Sequence, residues 1–240
     1  MKEKLKTILF MIVVSAVFTG LVSGVYSLTR PRIKRNERLA LNRAIISSYA
    51  PELLAAGADG AVVESVYNDY IRETEMTFSP PARKQQPGAS LEEYPVYEGL
   101  NDAGEVEAYI FNVRGRGLWG DIRAYMAVSP DLEEVVGISF YLHSETPGLG
   151  AEITKEWFLS AFEGRPIPDE PGDDGLYLAF SVPRDDEIPE DAPRVHAITG
   201  ATGTTNSVEK MVNEDLGAFL KAMRDNAGQT SGSPEPEEST

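Results

Sequence analysis

The sequence predicts an α+β domain, an antiparallel sheet packed with helices, preceded by one N-terminal transmembrane helix. Three observations carry this. Thr7 to Thr29 is free of charged residues and mostly apolar, and about 20 such residues cross a bilayer core as a helix. Residues 94–142 fall into short alternating runs parted by turn residues, the pattern of antiparallel strands. Val208, Met211, Val212, Leu216, Phe219, Leu220 and Met223 recur at helical spacing and make one apolar stripe.

In chain order, the apolar span comes first. A cleavable signal peptide has a shorter apolar region, roughly 7–15 residues, and no clean Ala-x-Ala site follows this one. A retained anchor over residues 1–38 is the expectation. Arg38 to Leu54 reads as a separate helix with Pro51 near its end, and Ala61 to Ile71 as a short second one. Residues 78–90 have loop chemistry, with two prolines in series and no apolar period. The sheet then runs from Tyr94 to Tyr97, turns at Asn101–Gly104, and alternates from Val106 to Val113. Gly115-Arg116-Gly117 interrupts it, Trp119 to Val128 resumes it, Pro130-Asp131 turns it, and Val135 to Leu142 closes it. Ala151 to Phe162 has helical spacing with Ile153, Trp157 and Phe162 on one face, and Leu176 to Val182 reads as a further strand between acidic, proline-rich loops. The domain is expected over residues 39–226, followed by a disordered acidic tail at 227–240.

Composition limits the chemistry. The 240 residues contain no cysteine and two histidines, His143 and His196. That excludes disulfides, thiol catalysis and Cys-held iron–sulfur or haem groups, and leaves no expected metal site. Any redox chemistry has to come from an organic cofactor. The net charge of −16 argues against a nucleic-acid partner. Residues 1–38 hold eight Lys/Arg and two Asp/Glu, which leaves 14 basic against 36 acidic residues in the body. Lys2, Lys4 and Lys6 precede the span while Arg30, Arg32, Lys34, Arg35 and Arg38 follow it, so charge bias alone places the body in the cytoplasm.

Four stretches depart from core patterning. Thr199-Gly200-Ala201-Thr202-Gly203-Thr204-Thr205 ends an apolar run and opens the last helical pattern. Its glycines let backbone approach a ligand, and the N-terminus of the following helix favours a phosphate. Locally a plain helix cap fits the same residues. No Lys follows the glycines as a P-loop requires, and no dinucleotide fingerprint is present. His143-Ser144-Glu145-Thr146-Pro147-Gly148-Leu149-Gly150 joins a strand to a helix and offers a carboxyl and a hydroxyl at the strand's end. Arg114-Gly115-Arg116-Gly117-Leu118-Trp119-Gly120 sets two cations beside a Trp able to stack on a planar ring or to sit in the core. His196 at the end of an apolar strand fits a structural role.

Together these stretches resemble one family. The sequence is similar to the C subunit of the sodium-translocating NADH:quinone oxidoreductases and to the G subunit of the Rnf electron-transport complexes, both of the FMN-binding domain family. Gly115-x-Gly117-Leu118-Trp119, Glu145-Thr146-Pro147-Gly148-Leu149-Gly150 and Thr199-Gly200-Ala201-Thr202-Gly203-Thr204 carry the resemblance in order. Gly-Leu-Trp favours the quinone-reductase branch.

The resemblance implies covalent FMN, joined through a phosphoester to the last hydroxyl of a (Ser/Thr)-Gly-Ala-Thr-x-(Ser/Thr) motif by a separate flavin transferase that uses FAD. Carried over, Thr204 is the acceptor, with Thr205 beside it as a competing hydroxyl. Leu118 and Trp119 would contact the isoalloxazine ring, and Glu145, Thr146, Gly148 and Leu149 would lie beside it. Thr199, Gly200, Ala201 and Thr202 would lie near the phosphate. An acceptor that has to reach phosphorus is expected on a thin, exposed turn. The family motif usually has Asp where this chain has His196, which implies slower modification or a matched transferase.

By resemblance the chain has no catalytic residue of its own. It would be an electron carrier among the other membrane subunits of a redox-driven ion pump, in the bacterial inner membrane, with its flavin domain on the extracytoplasmic side. That side opposes the charge bias, and the resemblance is followed. The expectation from another class is a flavin-free binding module of the same fold.

Overall fold

A computed structural model describes residues 2–81, 93–182 and 187–230. The greater part of the expected 78–90 loop, and the tail from 231 onward, lie outside the described residues. By contacts the chain divides into an N-terminal unit ending at Leu41 and a second unit beginning at Asn42.

The N-terminal unit lies wholly within helix α1, which runs Lys2–Tyr49. The helix contains an 18-residue window with mean hydropathy 2.4, enough by length and composition to cross a membrane. The two separate helical segments expected from sequence are therefore one. Pro31 lies inside α1; it removes one backbone bond without ending a helix whose flanking residues are good helix formers. Pro51 acts more strongly. It forces the preceding residue out of the helical region, and Ala50 takes φ −143°, ψ 67°.

In the second unit, α2 (Gly60–Tyr70) is capped by Asp59, whose Oδ1 accepts from the backbone N–H groups of Ala61 and Val62 at 2.9 and 3.0 Å. A six-stranded antiparallel sheet follows, with spatial order β1-β2-β3-β4-β5-β6. Its strands are β1 (Ile71–Phe78), β2 (Tyr94–Leu100), β3 (Val106–Arg116), β4 (Asp121–Val128), β5 (Glu134–Leu142) and β6 (Arg165–Pro166). Strand β1 does not show in the apolar pattern because it is an edge strand carrying Arg72, Glu73 and Glu75, the charged dress that discourages edge-to-edge pairing. Strand β3 continues through Gly115 and Arg116 instead of breaking there. A Cβ at Gly115 would come within 2.6 Å of Met211 Cβ, so the glycine lets helix and strand pack closely.

The expected helix over 151–162 is three short turns. Gly150–Thr154 and Ser160–Phe162 are 3₁₀, on either side of α3 (Glu156–Leu159). Ile153, Phe158 and Phe162 still bury their side chains. Strand β7 (Ala179–Val182) starts later than the sequence suggests and pairs in parallel with β8 (Arg194–His196). Helix α4 (Thr202–Thr230) closes the fold and runs four residues into the segment expected to be tail.

Helix α4 lies on one face of the sheet. Its Val208, Met211, Val212, Leu216, Phe219 and Leu220 meet Val96, Phe111, Val113, Ile122, Ala124, Met126 and Val128 in the core. Phe111 and Phe219 stack with centroids 4.1 Å apart and planes 6° from parallel, and Phe78 meets both edge-on. The last turns of α1 cover part of the other face. A Cβ on Gly99 would approach the Tyr49 ring to 2.8 Å, and one on Gly137 the Ser48 carbonyl oxygen to 2.7 Å. Burial on both faces explains consecutive buried residues such as Ile110-Phe111 and Met126-Ala127-Val128.

Candidate functional site: three loops around Glu145 and Thr204

Three connections carry the site. The β3–β4 turn closes with the Gly117 N–H donating to the Gly120 carbonyl at 2.7 Å, and it presents Leu118 and Trp119 at its tip. These are 64% and 69% exposed, so Trp119 is not a core residue.

The segment after β5 carries Glu145 to Gly150. The Thr146 carbonyl accepts from the N–H groups of Leu149 and Ala151, both at 3.1 Å. Gly148 supplies the positive φ of +74° that this turn needs. Thr146, Gly148 and Leu149 face solvent, while Glu145 is 5% exposed.

The third connection joins β8 to α4. Gly200 has φ +79°, and the Ala201 N–H donates to the Ile198 carbonyl at 3.0 Å. The threonine-rich stretch is then not a turn ahead of the helix: Thr202, Gly203, Thr204 and Thr205 form its first turn. The first N–H groups of a helix have no partner within it. Thr199, Gly200 and Thr202 are exposed, while Ala201, Thr204 and Thr205 are buried.

Glu145 ties the three together. Its own N–H donates to His143 Nδ1 at 3.2 Å. Its Oε1 accepts from the Trp119 N–H at 3.1 Å, and its Oε2 from Thr204 Oγ1 at 2.5 Å. A Cβ at Gly117 would lie 2.5 Å from Glu145 Oε1. A Cβ at Gly150 would strike Thr204 Oγ1 and lie 2.8 Å from Glu145 Oε2. Both glycines are therefore required by close approach to a carboxyl group. Thr205 is occupied otherwise, its Oγ1 accepting from the Ile198 N–H at 3.1 Å.

The expectation of an exposed acceptor is not met: Thr204 is 2% exposed. Sitting third in the helix, it points its hydroxyl inward to Glu145. Leu118 Cδ1 would be 3.6 Å from a Cβ on Gly203, and Leu149 Cδ2 3.4 Å from one on Gly200, so both leucines border the start of α4.

Of the two cations considered for a phosphate, Arg114 lies with its guanidinium carbon 3.9 Å from the centre of the Tyr94 ring, and its backbone N–H donates to Asp215 Oδ2 at 2.8 Å. Arg116 lines a depression of about 370 Å³ with Asn206, Ser207, Lys210 and Glu214. His196 is half-buried on β8. The sequence does not reveal the supports behind the site. Asn213 Oδ1 accepts from the Tyr177 and Leu178 N–H groups at 2.6 and 2.9 Å, and Glu209 Oε1 from the Phe180 N–H at 2.6 Å, which fastens the approach to β7 onto α4. Their only sequence signal is a polar residue close to the apolar stripe.

Known families share parts of this chain. Residues 117–217 match the FMN-binding domain and residues 6–46 match the RnfG N-terminal region. The chain is similar to the C subunits of the Na(+)-translocating NADH-quinone reductases of several bacteria.

Over 141 residues it is 32% identical to the C subunit of Pseudomonas aeruginosa, a match covering 55% of this chain and 52% of that one. With the corresponding protein of Neisseria meningitidis serogroup A it shares 24% identity over 227 residues, 85% of this chain and 86% of the other. The crystal structure of the Parabacteroides distasonis homologue superposes with a TM-score of 0.62 at 26% identity, covering 81% of this chain and 96% of that one. The chain thus spans about half the length of several relatives it matches.

Proposed function

We propose that this chain is a membrane-anchored electron-transfer subunit that carries FMN linked through a phosphoester to Thr204. The observation that carries the proposal is the placement of that hydroxyl. It lies in the first turn of α4, where the helix dipole favours a phosphodiester by about 0.3–1 kcal/mol. Around it stand Leu118, Trp119 and Leu149, large apolar groups exposed to solvent.

The residues present fit the group. Leu118 and Trp119 offer apolar surface to a planar ring, with Glu145, Thr146, Gly148 and Leu149 beside it. Thr199, Gly200, Ala201 and Thr202 border the phosphate position. FMN supplies the redox chemistry when bound; the protein supplies attachment, orientation and electrostatics.

On this reading the chain serves an ion-translocating NADH:quinone reductase, passing electrons between other membrane subunits, with the anchor in the bacterial inner membrane and the flavin domain on the extracytoplasmic side. A second reading has its own support. The match of residues 6–46 to the RnfG N-terminal region fits an Rnf-type complex, in which a ferredoxin is the upstream donor. Reduction of the flavin in isolated membranes by NADH alone, without added ferredoxin, favours the first; dependence on ferredoxin favours the second.

Attachment itself is tested by co-expression with a flavin transferase and in-gel fluorescence under ultraviolet light. Wild-type protein should fluoresce after denaturation and Thr204→Ala should not. A fluorescent Thr204→Ala band would refute the site.

A further inference from the structure

We propose that Glu145 is the proton acceptor for flavin attachment and the residue that selects Thr204 among the threonines of the turn. This rests on the reading of Thr204 as the attachment site and deepens it. Four hydroxyls lie within seven residues, on Thr199, Thr202, Thr204 and Thr205. The structure treats them differently. Thr199 and Thr202 are exposed. Thr205 Oγ1 accepts from the Ile198 N–H at 3.1 Å, so it is committed to the bend that leads into α4. Thr204 Oγ1 donates to a carboxyl oxygen, Glu145 Oε2, at 2.5 Å.

The chemistry of attachment requires a proton acceptor. The Thr204 oxygen attacks the flavin-side phosphorus of a flavin adenine dinucleotide. A bond forms from Oγ to phosphorus, and the bond from that phosphorus to the bridging oxygen of the pyrophosphate breaks. Adenosine monophosphate leaves with the electron pair, and the hydroxyl proton has to go to a base. No electron is gained or lost by the flavin. Phosphoryl transfer to a hydroxyl commonly places a carboxylate in hydrogen-bond contact with the attacking oxygen, as the catalytic-loop Asp of protein kinases does. Glu145 already holds that position before any partner arrives.

Its own placement is fixed from two sides. The Trp119 N–H holds Oε1 at 3.1 Å, and the absence of side chains at Gly117 and Gly150 leaves space that the Glu145 carboxyl group shares with Ile122 and the Thr204 hydroxyl. Glu145 is thus oriented toward Thr204 by the same loop that carries Leu118 and Trp119. The geometry also requires an opening step. Thr204 is 2% exposed, so its oxygen reaches a phosphorus atom only after the loops packed around it part.

The test uses the full-length chain in detergent, a purified flavin transferase and flavin adenine dinucleotide, with intact mass and peptide mapping as readouts. Glu145→Gln keeps the shape and loses the base. It should lower the turnover rate of FMN incorporation by about 100-fold or more, the span typical of a lost general base, with the KM for the chain held within about threefold. Glu145→Asp should recover part of the rate, and any slow labelling of Glu145→Gln should spread to Thr202 or Thr205.

Wild-type turnover and unchanged site selection in a folded Glu145→Gln chain would overturn the proposal. If that variant does not fold by circular dichroism, Glu145→Asp decides alone: reduced turnover with unchanged KM supports it, and an altered KM with wild-type turnover overturns it. Thr204→Ala run in parallel separates this from the underlying reading. FMN on Thr204→Ala sinks the attachment site, whereas its absence there beside normal Glu145→Gln labelling sinks only the role of Glu145.

Discussion

Glu145 Oε2 and Thr204 Oγ1 stand 2.5 Å apart although 59 residues of chain separate them. One end of the pair follows a sheet strand and the other starts the last helix, so the contact exists only once α4 has docked on the sheet. Gly150 is the position that most directly permits it. In Gly150→Ala the added Cβ would strike the Thr204 hydroxyl and crowd Glu145. Overpacking of this kind typically costs about 1–3 kcal/mol. The expected outcome is a lower urea midpoint and, with flavin transferase present, slower FMN incorporation. An unchanged midpoint would mean that the loop relaxes freely.

Asn213 offers a second, independent handle. It takes two backbone N–H groups and gives its amide to the Leu178 and Glu209 carbonyls at 2.8 Å each. Asn213→Leu would leave buried amides at Tyr177 and Leu178 without their acceptor, at about 1–3 kcal/mol per orphaned group. Hydrogen exchange at those two amides should speed up more than exchange in β4.

The aromatic stack predicts a larger loss. Phe219→Ala removes a fully buried ring in parallel contact with Phe111, and such truncations cost about 3–5 kcal/mol. Phe219→Leu should retain much of that stability by chemical denaturation, since volume matters here more than any polar group.

Legibility in the sequence varied with how local the cause is. The stripe on α4 is visible because burial there follows from spacing alone, and β2–β5 are visible as apolar runs parted by turn residues, although β3 and β4 bury residues on both faces. Strand β1 is hidden because its charged residues serve an edge, and the 151–162 segment reads as one helix because spacing cannot tell an α turn from a 3₁₀ turn. The resemblance named Glu145 and Thr204 as site residues, yet spacing could not bring them together. Nor could it show that Thr204 lies inside the helix's first turn and faces inward.

A tyrosine array on the sheet face opposite α4 predicts a pH effect. Tyr97 and Tyr125 meet edge-on at 5.9 Å, and Tyr125 stacks on Tyr141 at 5.4 Å. Burial, followed by the neighbouring phenols Tyr97 and Tyr141, pushes the Tyr125 phenol well above the usual tyrosine value of about 10. Burial also raises Tyr97. The folded state therefore holds these protons more tightly than the unfolded chain. Their contribution is fully present below about pH 10 and is lost as pH rises above it toward the folded values. Thermal midpoints should fall on going from pH 9 to pH 11 (chosen to bracket about 10), and Tyr125→Phe should flatten that decline. An equally steep decline in Tyr125→Phe would contradict the assignment.

On the proposed reading a single bond joins Thr204 to the phosphate of FMN. Intact-mass measurement of the chain co-expressed with a flavin transferase tests it most directly, with Thr204→Ala and Thr205→Ala beside wild type. Wild type and Thr205→Ala should each gain the mass of one FMN less one water, and Thr204→Ala should gain none. An FMN increment that survives Thr204→Ala, or none on wild type, would contradict it.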